Sequence, residues 1–90
     1  MDIKELRKEI DAVDGELLRL FLRRMELSAE IAAVKKAEGR PVFDPERETQ
    51  KLSRIASASG AMGEYALDLW EKLMELSRKY QFSLDRDEVE

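Results

Sequence analysis

Read in heptads from residue 3, the first forty residues place Ile3, Leu6, Ile10, Val13, Leu17, Leu20, Leu27, Ile31 and Val34 at the two core positions. There is no proline among them and only Gly15 as a soft spot. That spacing predicts one helix over about 3–38, ending at "EGRP", where Gly39 can cap and Pro41 cannot continue. At about 1.5 Å per residue such a helix is roughly 53 Å long, whereas a compact globule of this length has a radius of gyration of about 12 Å. The helix must therefore overhang any core that one chain builds. An overhanging apolar seam has to be covered, and a second copy of the chain about a two-fold axis does so most simply. The expectation is an intertwined homodimer in which helix 1 runs antiparallel to its partner.

The remainder reads as two shorter helices. "FDPERE" offers Asp44 as N-cap, Pro45 at the first helical position and acidic residues in the first turn, which starts a helix over about 45–57. "SASGAMG" is a small-residue connector. Beyond it Tyr65, Leu69, Trp70, Leu73, Leu76, Tyr80 and Leu84 recur at helical spacing, giving a third helix over about 64–84. The acidic end, 85–90, reads as a frayed tail. The fold class expected is all-α, with three helices in a single domain spanning 1–90.

Composition narrows the chemistry. With no histidine and no cysteine, the usual general base, thiolate nucleophile and zinc ligands are absent, which prunes most enzyme chemistry. A net charge of −4 without a basic stripe argues against nucleic acid, and any anion site must be concentrated in a few residues. No apolar run approaches membrane-spanning length and the N-terminus is not a signal peptide, which makes a cytoplasmic protein without a membrane partner the expectation.

One heptad core position is occupied by Arg24. Ser28 and Lys35 share its stripe, because offsets of four and eleven residues return to nearly the same helix face. Arg24 can set register at a helix interface and Lys35 can snorkel, but a buried cation left unpaired is costly, so a carboxylate of the protein or of a ligand has to meet it. Helix 3 repeats the pattern with Ser77 and Gln81, four apart on its apolar stripe, where interhelical hydrogen bonding is the alternative reading. Arg47 and Glu48 open helix 2, where exposed ion pairing is the plain explanation. Arg7 lies seventeen residues before Arg24, about 25 Å along the helix, and so reaches the same ligand only from a partner chain.

The stretches "LRKEIDAVDGELLRLFLRRMELSAEIAAVKK", "RPVFDPERE" and "SRKYQ" resemble the all-helical chorismate mutases, over residues 3 to about 82. That family's pattern is matched by Arg7, Arg24, Lys35, Asp44, Arg47, Glu48, Ser77 and Gln81. The resemblance implies a unimolecular Claisen rearrangement of chorismate to prephenate, a step in aromatic amino acid biosynthesis that needs no nucleophile, metal or cofactor. It implies that Arg24 and the partner chain's arginine at position 7 bind the two carboxylates, with Arg47 supporting the pocket and Ser77 bonding near the ring carboxylate. Lys35 and Gln81 would donate to the ether oxygen, Glu48 would accept from the ring hydroxyl, and Asp44 would act mainly through its backbone and cap. Elimination of pyruvate from isochorismate on the same scaffold, or a non-catalytic helical dimerisation module, are the alternatives. Length alone leads to the expectation of an unregulated stand-alone enzyme.

Overall fold

The computed structural model describes residues 1–87, with side chains as far as Asp85. The chain is all-α: α1 is Ile3–Ala37, α2 is Pro45–Ala58, a single 3-10 turn covers Gly60–Met62, and α3 is Gly63–Asp87. There is no strand among the described residues. The third helix continues past Leu84, where the sequence reading ends it, because "SLDRD" contains neither glycine nor proline to stop it. Residues 88–90, the rest of the expected tail, lie outside the described residues.

Each boundary has a local cause. Asp2 caps α1, its Oδ1 accepting from Glu5 N at 2.9 Å. At the other end Gly39 adopts φ 68°, and Arg40 N donates to Lys35 O at 2.8 Å while Gly39 N donates to Lys36 O at 3.2 Å. This reversal satisfies the last carbonyls and suits a residue without a Cβ. Asp44 Oδ1 accepts from Arg47 N at 3.0 Å to start α2, with Pro45 just inside.

The chain measures 54 × 28 × 14 Å with a radius of gyration of 16.5 Å, well beyond the roughly 12 Å of a compact chain this long. α3 packs against both α2 and the C-terminal half of α1. From Ile3 to Leu20 every residue of α1 is exposed, with Ile10 at 59%, Val13 at 58% and Leu17 at 53%. Among the described residues only Ala32, Met74, Ser28 and Gln81 are buried, and two of those four are polar. One copy of the chain thus has the helices of a domain but hardly a core.

Candidate active site

All three helices contribute to one open cavity of about 690 Å³, within the size range of small-molecule sites. Its apolar wall includes Leu27, Ile31 and Val34 from α1 and Trp70 and Met74 from α3. Of the eight residues singled out in the sequence, Arg24, Lys35, Asp44, Arg47, Glu48, Ser77 and Gln81 line this cavity, whereas Arg7 does not.

The polar floor runs from α1 to α3. Ser28 Oγ and Ser77 Oγ are 2.6 Å apart, and Gln81 Nε2 donates to Ser77 Oγ at 3.2 Å. Spacing of four residues puts Ser77 and Gln81 one turn apart on α3, which is why a single hydroxyl can meet both partners. Gln81 is only 6% exposed, and its Oε1 has no hydrogen-bond partner among the described residues. A buried carbonyl oxygen without a partner is uncommon and calls for a donor, whether from a ligand or from rotation of the amide.

The cations are placed around this floor. Arg24 is half-buried, and its one protein partner among the described residues is Leu73 O, at a long 3.5 Å from Nη1. Burial lowers its pKa from the ordinary guanidinium value, a sign that solvent has been removed from the charge without a counter-charge taking its place. Lys35 sits at the end of α1, held by a 2.7 Å bond from Nζ to Val42 O that uses one of its three donors. Asp44 serves the cap described above, which directs the first turn of α2 toward the cavity and brings in Arg47. Glu48 is held by an ion pair with Arg78 of α3, and the Arg78 guanidinium also lies over the Phe43 ring, 5.3 Å from its centroid.

Sequence reasoning missed three cations that line the cavity, Arg40, Lys51 and Arg78. Lys51 is four residues after Arg47 and therefore on the same helix face, a signal that was available from spacing. Arg78 adjoins Ser77 but faces α2; its pairing with Glu48, thirty residues away, leaves no periodic trace. In total Arg24, Lys35, Arg40, Arg47, Lys51 and Arg78 face Glu30, Asp44 and Glu48, so six cations oppose three carboxylates in a chain whose net charge is −4. The arrangement can bind an anionic ligand of small-molecule size and offer it hydrogen-bond donors from several directions. No group of three or more His, Cys, Asp or Glu among the described residues is placed to hold a metal ion, and no helix among them is long and apolar enough to cross a membrane.

Comparison with known proteins agrees with this geometry. The T-protein of Enterobacter agglomerans is 34% identical over 86 residues, covering 96% of this chain and 23% of that protein. The chorismate mutase of Methanocaldococcus jannaschii is 40% identical over 53 residues, covering 59% of this chain and 54% of that protein. Among solved structures, form II of the chorismate mutase from Thermus thermophilus matches with a TM-score of 0.84 at 31% identity, over 88% of this chain and 92% of that one. The chain spans 13% to 54% of the length of the first curated relatives it matches. The family model for chorismate mutase type II matches residues 6–82, nearly the whole sequence, and with the helical fold and the cavity it leads to one conclusion: the chain belongs to the type II chorismate mutase family.

Proposed function

We propose that the chain acts as a chorismate mutase, rearranging chorismate to prephenate. The observation that carries this reading is the convergence of Arg24, Lys35 and Arg47 with Ser77 and Gln81 on one cavity, from three different helices. In the reaction a bond between carbon and the ether oxygen breaks while a carbon–carbon bond forms, within one molecule and without proton transfer. Catalysis then consists of holding the enolpyruvyl ether folded over the ring and placing donors where negative charge develops on the ether oxygen.

Arg24 and Arg47 supply charge for the substrate carboxylates, and the weak bond from Arg24 to Leu73 O leaves its guanidinium fork available. Ser77, tied to Ser28, bonds near the ring carboxylate. Lys35 keeps two donors beyond the one used on Val42 O; one goes to the ether oxygen and one to the side-chain carboxylate. Gln81 is the second ether-oxygen donor: a half-turn of its amide lets Ser77 Oγ donate to Oε1, removes the orphaned oxygen and frees Nε2 for the substrate. Glu48, oriented by Arg78, accepts from the ring hydroxyl. Asp44 acts through the α2 cap.

The working unit is a homodimer with antiparallel first helices, and Arg7 enters the site of the other copy. The exposed seam from Ile3 to Leu20 and the near absence of a core in one chain support this. A second copy also makes the cavity drier, which strengthens every charge interaction in it.

The test is loss of chorismate's ultraviolet absorbance on adding protein, with the product identified as prephenate and Arg24→Ala assayed alongside. The wild type should convert chorismate, and Arg24→Ala should lose at least about 10²-fold in kcat/KM while keeping its helical circular dichroism. A wild type that leaves chorismate unchanged overturns the assignment, and pyruvate released from isochorismate would then point to the lyase activity.

A further inference from the structure

Lys51 and Arg47 are the two cations lining the cavity that have no ion pair or side-chain hydrogen bond with another described residue, and of the two Lys51 is half-buried whereas Arg47 is exposed. Lys35 is bonded to Val42 O, Arg78 to Glu48 and Arg40 to Glu38. Lys51 has no ion pair or side-chain hydrogen bond with another described residue, although it is half-buried and lines the cavity. The carboxylate best placed to neutralise it, Glu48 one turn earlier on α2, is already engaged by Arg78. Its neighbours along the same helix are Arg47 at four residues before and Arg54 at three residues after, so like charges flank it on both sides. Such pairs destabilise a helix, and no other group of the chain offsets the effect at Lys51 among the described residues.

We propose that Lys51 is a further substrate-binding residue, whose ammonium group, beside the guanidinium of Arg47, contacts a carboxylate of the dianionic substrate. This rests on the mutase reading above. The substrate brings the counter-charge that the chain lacks at this place, so ligand binding converts a repulsive cluster of cations into an attractive one. Burial, followed by the charges of Arg47, Arg54 and Arg24, pushes the Lys51 pKa below its ordinary value, in keeping with an ammonium group awaiting an anion.

A binding role and a structural role give opposite signatures in Lys51→Met, which keeps the length and helix propensity of the side chain and removes only its charge. For a binding role, KM for chorismate rises about tenfold with kcat changed far less, since a charge-assisted contact made equally to substrate and transition state is lost. The ligand-free variant melts at a higher temperature than wild type, and the upward Tm shift produced by added prephenate shrinks. Lys51→Arg restores KM. The Tm gap between wild type and Lys51→Met narrows as pH rises toward 10.5, because the unfolded chain there retains a proton that the folded lysine gives up, so stability from this group increases with pH. An unchanged KM in Lys51→Met, or a loss of stability that Lys51→Arg does not restore, overturns the proposal while leaving the mutase reading intact. A wild type inactive on chorismate overturns both.

Discussion

The two halves of α1 carry the same apolar periodicity and end up in different surroundings. From Ile3 to Leu20 every residue of the helix is exposed in the single chain. From Phe21 to Ala37 the same helix packs on α3, buries Ser28 and Ala32, and contributes Arg24 and Lys35 to the cavity. Periodicity thus selects a face of a helix without saying what will meet it. One half packs within its own chain and lines the cavity; the other is left bare by it, and the proposed dimer assigns that half to a second copy.

The strongest way to break this comparison is to place charge in the half that one chain leaves bare. Val13→Asp combined with Leu17→Asp changes two exposed side chains, so a self-sufficient monomer would tolerate it. If the seam is the interface between two copies, the variant should lose both assembly and its cooperative thermal transition, since a chain with four buried residues among those described has little else to hold it folded. Sedimentation and circular dichroism decide the matter, and a folded, active single chain would sink the dimer.

In the other half, Lys35→Ala should reduce kcat by roughly 10²-fold or more, the scale of losing one preorganised donor to a developing oxyanion, with only a minor change in Tm. Near-normal turnover would remove Lys35 from the mechanism. Gln81→Glu sharpens the same point through pH: a carboxylate donates only when protonated, so activity should appear at acidic pH and fall as pH rises through the pKa of the new side chain. A flat profile contradicts the donor role.

The smallest effect belongs to Gly15, in the bare half. A Cβ at that position meets nothing within 4 Å in one chain, so Gly15→Ala should stabilise the protein by about 0.5–1 kcal/mol through helix propensity. Thermal or denaturant melting measures it. A destabilised variant would instead mean that the partner's backbone approaches α1 closely at that point.

What was legible in the sequence was whatever depends on neighbours within a few residues. Three helices, the Asp44 cap, the Gly39 reversal and the shared stripe of Arg24, Ser28 and Lys35 all follow from a repeat of 3.6 residues and from side chains that bond to nearby backbone. Spacing also set Ser77 and Gln81 on the apolar stripe of the third helix, and the resemblance joined them with Arg47 and Glu48 in one expected site. Lys51 is equally local, but a lysine on a helix is ordinarily solvated, and spacing alone does not mark it as part of a site. Arg78 was out of reach on different grounds, since its meaning lies in Glu48 and Phe43, thirty and more residues away.

The amino-acid order by itself determined the helices, their ends and which faces are apolar, because hydrogen bonding and periodicity in a helix are settled over one or two turns. Only the tertiary structure decided that Ser28 meets Ser77 across 49 residues, that Glu48 is taken by Arg78, and that Lys51 is left without a partner among the described residues. Those outcomes depend on how α3 docks between the other two helices, and docking is set by the fit of whole surfaces, which no short window of sequence contains.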